Sequence, residues 1–99
     1  MNNIEVCKSL DQVRVNIDRI DSEIIKLIAQ RGKYVAQAAA FKKSDTEVRD
    51  SSRVEAVVQK ARNAAEQYGA SPDLVEAVYR EMISRFIASE MSAYKGAAT

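Results

Sequence analysis

Apolar residues recur every three or four positions along most of the chain, and no strand-like alternation recurs. From Ser9 to about Lys43 they fall at Leu10, Val13, Ile17, Ile20, Ile24, Leu27, Ile28, Val35, Ala38 and Phe41, which predicts one long helix. Ser9 or Asp11 is placed to cap its start, and Gly32 is its weak point, about 1 kcal/mol worse than Ala in a helix interior. Residues 43–50, KSDTEVRD, are polar and nearly without apolar anchors, and read as a loop. The stripe Val54, Val57, Val58, Ala61, Ala65, Tyr68 predicts a second helix, with Ser52 and Glu55 spaced as a capping box and Gly69 as the C-terminal cap. A third helix opens with Ser71 as N-cap, Pro72 at its first position and Asp73 in its first turn. Its stripe is Leu74, Val75, Val78, Met82, Ile83, Phe86, Ile87, Met91 and Tyr94, and the tail from Gly96 to Thr99 is expected to fray. The pattern is all-α, three helices in a single domain over residues 1–99, with no repeat or low-complexity tract.

Length changes that picture. A helix of about 34 residues is roughly 50 Å long at 1.5 Å per residue. A compact domain of about 100 residues has a radius of gyration near 13 Å. The first helix therefore overhangs any monomeric globule and leaves its stripe wet, so an intertwined homodimer is expected.

Composition narrows the chemistry. Fifteen Lys and Arg against 14 Asp and Glu leave a formal charge of +1, without the basic excess of a nucleic-acid or membrane binder. No apolar run reaches the length of a membrane span, and the start MNNIEVCKSL lacks the apolar core of a signal peptide, so a cytoplasmic protein is expected. There is no histidine and one cysteine, Cys7, which reads as a small apolar filler. Histidine-based metal sites, Ser-His triads and internal disulfides are thereby excluded. With glycine only at 32, 69 and 96 there is no phosphate-binding loop. No cofactor or metal is expected; any chemistry runs on Arg, Lys, carboxyls, hydroxyls and shape.

Several charges stand where a core is expected. On a continuous helix Val35 lies about 40° from Arg31, and Ala38 and Lys42 about 20°, with Arg31 and Lys42 roughly 16 Å apart. Two cations on one small-residue stripe either snorkel to water or meet an anion, and the pair together favours an anion pocket. Arg14, about 25 Å before Arg31 and about 100° round the helix, reaches such a pocket only from a partner chain; its alternative is a solvated pair with Asp18. Arg53 adds positive charge to the start of the second helix, an end that already favours anions, or pairs with Asp50, or both. Glu90, seven residues after Ile83, falls near the apolar face of the third helix. It is either solvated at the edge of the stripe or buried, and a buried carboxyl tends to keep its proton and can donate a hydrogen bond. Tyr34, Tyr68, Tyr79 and Tyr94 read as core-edge aromatics, and Arg19, Glu23, Asp21 and Lys26 as a solvated face.

The segments VRVNIDRIDSEIIKLIAQR (13–31), KYVAQAAAFKK (33–43), VRDSSRV (48–54) and LVEAVYREMISRFIASEM (74–91) resemble the all-helical chorismate mutases and their relative, isochorismate–pyruvate lyase. The resemblance covers nearly the whole chain and rests on Arg14, Arg31, Lys42, Asp50 and Arg53 as a set. It implies an intertwined homodimer with two shared sites and a small dicarboxylate substrate. Arg31 and Arg53 would grip carboxylates, with Arg14 supplied by the other subunit. Lys42 would bond the ether oxygen and a carboxylate, and Glu90 would also reach the ether oxygen. Val35, Phe86 and Ile87 would shape the wall, and residues 43–50 would form a lid.

The resemblance is not uniform. Val54 stands where many mutases carry Glu, and Phe86 where many carry a small hydroxyl residue; these two, with Cys7, resemble the lyase. The Val-Arg-Asp motif at 48–50 and Glu90 resemble mutases. The reading favoured is chorismate mutase, rearranging chorismate to prephenate. The alternatives are the lyase, giving salicylate and pyruvate, and a non-catalytic helical dimerisation module.

Overall fold

The computed structural model describes residues 4–98, with side chains at 4–44 and 46–92. Among them every regular element is helical: α1 Leu10–Ala39, α2 Asp45–Val48, α3 Ser51–Tyr68 and α4 Pro72–Ala98. The three expected helices are present, and a fourth, α2, forms inside the segment expected to be a loop. The chain falls into two units, residues 1–33 and 34–99. None of these helices is long and apolar enough to cross a membrane.

In the first unit Ser9, rather than Asp11, caps α1. Its Oγ accepts from Gln12 N at 3.1 Å, while Gln12 Oε1 accepts from Lys8 N at 2.7 Å, so two otherwise orphaned donors are satisfied reciprocally. Ahead of the helix, Asn16 Nδ2 donates to Glu5 Oε1 at 2.8 Å and lies 3.6 Å from Sγ of the half-buried Cys7. Arg19 donates to Asn16 Oδ1 at 3.3 Å, a partner on its own helix other than Glu23. No α1 residue is buried within the chain. The stripe residues Ile17, Ile20, Ile24, Leu27 and Ile28 are exposed by 40% (Ile28) to 59% (Leu27).

In the second unit α1 stops at Ala39, four residues short of the expected end. Ala40, Phe41 and Lys42 donate to the carbonyls three residues back at 3.0–3.2 Å, the tighter winding common at helix ends. The cause lies just beyond. Ser44-Asp45-Thr46-Glu47 forms a variant of the capping box: Ser44 Oγ accepts from Glu47 N at 3.3 Å, and the Glu47 carboxylate accepts from the N–H of Lys43, one residue before the cap. It starts α2, which Val48, 3% exposed, anchors against α4.

The box expected at Ser52 and Glu55 does not form. Asp50 caps α3 instead, its Oδ1 accepting from Ser52 N (3.1 Å), Arg53 N (3.2 Å) and Ser52 Oγ (2.6 Å). Glu55 turns away to receive two bonds from Arg80 on α4, at 2.8 and 2.9 Å. At the other end Gly69 takes φ +76, the left-handed region open to glycine, and Ala70 N returns to Ala65 O at 2.8 Å. Ser71 caps α4 as expected, accepting from Leu74 N at 3.2 Å.

The hairpin of α3 and α4 carries the core: Val58, Ala61 and Ala65 on α3 and Ile83 and Met91 on α4 are buried, and the two helices pack together. Along its side runs a chain of ion pairs, Glu55–Arg80–Glu76–Arg62–Asp73, with N···O distances of 2.7–3.0 Å. Two readings of aromatic residues change, because Tyr34 and Tyr68 are exposed; Tyr79 is half-buried as expected. The backbone stays helical through Ala98, so the expected fraying is not seen there, while Thr99 and the Tyr94 side chain lie outside the described residues.

Candidate active site

The site is assembled within the second unit from the end of α1, α2, the start of α3 and one residue of α4. Lys42 follows the last turn of α1, so its position is set by the tight winding there and not by the α-helical register that the shared face with Arg31 assumed. Its Nζ donates to the Glu47 carbonyl at 3.2 Å and lies 3.4 Å from Glu90 Oε2.

Glu90 is buried, 7% exposed, which overturns the reading of a solvated residue at the edge of the stripe. Ile83 and Met91, buried on the same helix, explain why: the α4 register that seats them also turns Glu90 inward. Among the described residues Oε2 receives no directed hydrogen bond, so Lys42 meets it as a charge.

Of the alternatives open for Arg53, an ion pair with Asp50 is not seen among the described residues; the contact of Asp50 with that residue is to the backbone N–H. The Ser52 hydroxyl above all, then the N–H groups of Arg53 and Ser52 and the charge of Lys42, hold the Asp50 carboxyl below its usual range despite some desolvation. The α3 terminus therefore keeps an anionic cap near neutral pH, and Arg53 is left exposed beside it.

Lys42, Asp50 and Arg53 come together on one cavity of about 470 Å³, with Ala38, Phe41 and Glu47 completing its lining. That volume lies within the range of small-molecule sites. Two cations and two carboxylates share an otherwise apolar rim, an arrangement that can hold a small anionic guest by charge and a ring by contact with Phe41 and Ala38. Val35, Phe86 and Ile87 are half-buried and are not part of this lining among the described residues. Arg14, exposed, and Arg31, half-buried, belong to the first unit. Glu47 was not among the residues singled out from sequence; the S-x-x-E spacing of Ser44 and Glu47 was the available signal.

The model of the chorismate mutase type II family matches residues 13–91. The chain belongs to that family. It is also 30% identical, over 95 residues, to the isochorismate pyruvate lyase of Pseudomonas aeruginosa, an alignment covering 96% of this chain and 94% of that one. The fold and the family agree on an enzyme of the pericyclic, chorismate mutase type, acting on a small molecule.

Proposed function

We propose that the protein is a homodimeric chorismate mutase, converting chorismate to prephenate in a pocket centred on Lys42. The observation that carries this reading is the cavity where Lys42 and Arg53 stand together, with the buried Glu90 carboxyl behind the lysine. The rearrangement is concerted and needs no nucleophile, base or metal. An enzyme has to hold the compact diaxial conformer, an orientation effect, and to stabilise negative charge growing on the ether oxygen. Arg53 is suited to gripping a carboxylate in a fork, and Lys42 to meeting the ether oxygen. Arg31 and, from the partner chain, Arg14 complete the anion clamp in this reading, with Val35, Phe86 and Ile87 as walls. The exposed α1 stripe supports the dimer, since so much wet apolar surface on one helix face calls for a cover. Within the dimer residues 1–99 act as one domain.

A second reading, isochorismate–pyruvate lyase, is favoured by the match to the P. aeruginosa lyase and by Val54 and Phe86. Its reaction is also pericyclic and asks the same of the cations. A helical dimerisation module without activity is disfavoured, because an inert fold gains nothing from a buried Glu90 that well-packed apolar residues would replace. Offering purified protein chorismate and isochorismate separately, and resolving prephenate from salicylate plus pyruvate, decides among the three. Prephenate supports the first reading, salicylate and pyruvate the second, and consumption of neither substrate ends both.

A further inference from the structure

We propose that Glu47 is a positioning residue: it folds α2 so that its own carbonyl oxygen holds the Lys42 ammonium at the cavity. Three bonds converge on this residue. Its N–H donates to Ser44 Oγ at 3.3 Å, its carboxylate accepts from Lys43 N, and its carbonyl accepts from Lys42 Nζ at 3.2 Å. A four-residue helix does not persist on its backbone alone, because a first turn fixes many dihedrals for a single hydrogen bond. In α2 that bond is Val48 N to Ser44 O at 3.3 Å. The cap closed by the Glu47 side chain and the burial of Val48 supply the rest.

The consequence falls on Lys42. A lysine ammonium has three donors on a flexible stem. The Glu47 carbonyl takes one and Glu90 draws a second, so one remains for a guest in the cavity. The stem is thereby oriented before any ligand arrives, and the preorganisation depends on a residue that sequence pattern marks only as a helix cap.

The catalytic role rests on the function proposed above, whereas the tether itself is separable from it, and the experiment reads both. Glu47 is exposed, so its replacement leaves the core intact. In ligand-free protein, brief acylation with limiting acetic anhydride, quantified by peptide mass spectrometry, compares Lys42 with the exposed Lys60 as internal reference. Glu47→Ala raises the Lys42-to-Lys60 labelling ratio severalfold. On whichever of chorismate or isochorismate the wild type consumes, the same variant loses about tenfold in kcat with KM changed less than about threefold, the pattern of a misplaced group. Glu47→Gln, whose amide oxygen still closes the cap, restores both readouts toward wild type. An unchanged labelling ratio in Glu47→Ala, an unchanged kcat, or a Gln variant as impaired as the Ala variant overturns the proposal. A wild type that consumes neither substrate removes the proposed function, and the labelling ratio then decides the tether alone.

Discussion

Lys42 Nζ stands 3.4 Å from Glu90 Oε2, and the two side chains differ sharply in burial, 27% exposed against 6%. The asymmetry matters. Removing a carboxylate from water is expensive unless a cation or hydrogen bonds replace the solvent. Here a half-wet lysine, also bonded to the Glu47 carbonyl, answers for a carboxyl sunk in the apolar face of α4. The lysine is therefore shared: a guest anion that engages its remaining donor meets the same ammonium that answers for Glu90.

That dependence is testable through stability alone. Lys42→Met leaves Glu90 buried without its cation, and a loss of about 1–3 kcal/mol in urea unfolding is expected. Adding Glu90→Gln removes the acid left without its partner and recovers most of that loss. A double variant no more stable than Lys42→Met shows that the two side chains are not energetically coupled.

In the proposed reaction, turnover depends on the same cation. Lys42→Ala and Arg53→Ala each remove a preorganised donor from the cavity, and losses of about 10²–10³ in kcat are expected by analogy with deleted oxyanion donors. Neither change touches the exposed α1 stripe, so light scattering coupled to gel filtration is expected to give the same mass as wild type, that of a dimer under the proposed assembly. Retained turnover in Lys42→Ala would remove the lysine from the mechanism.

The helix types were legible because each long helix keeps a stripe of period 3.6. The boundaries around the site were not, since they are decided by competition among neighbouring caps. Ser44, Asp50 and Ser52 all suit an N-cap; Asp50 outcompetes Ser52 by reaching two N–H groups and the Ser52 hydroxyl at once. Glu55, the other half of the expected box, is drawn off by Arg80, 25 residues away, a contact that no local pattern carries. Lys42 was legible as a cation on the stripe of the first helix, and Arg53 as a charge at the start of the second helix with Asp50 within pairing distance in sequence. The part played by Glu47 was not, because it acts on Lys42 through a backbone carbonyl, which side-chain identity does not report.

Gly69 gives a check on the hairpin that carries the core. Its φ of +76 suits glycine, and an added Cβ meets nothing within 4 Å. Gly69→Ala is therefore a pure backbone change. It is expected to destabilise by about 1 kcal/mol, the usual penalty of a left-handed alanine, with kcat and KM unchanged. A much larger loss would mean that the turn from Gly69 to Ser71 resists substitution for a reason other than its dihedral.

Acid should unpick the ion-pair chain along α3 and α4 in a defined direction. Arg80 holds the carboxyls of Glu55 and Glu76 below the ordinary glutamate value of 4.5, with Arg62 adding to the effect on Glu76. A carboxyl depressed in the folded state favours folding above its unfolded value, and that contribution fades as pH falls through the folded value. Asp50, depressed by its capping bonds, adds in the same sense from its ordinary 3.8 downward. Wild-type Tm is thus expected to be level near neutrality and to drop progressively below about pH 4.5. In Arg80→Leu the guanidinium shared by Glu55 and Glu76 is gone, so its Tm starts a few degrees lower and falls less steeply with acid. Parallel Tm curves for the two proteins between pH 6 and pH 3 would show that the arginine does not set those carboxyls, and that the hairpin is held by Val58, Ala61, Ala65 and Ile83 without help from its charged flank.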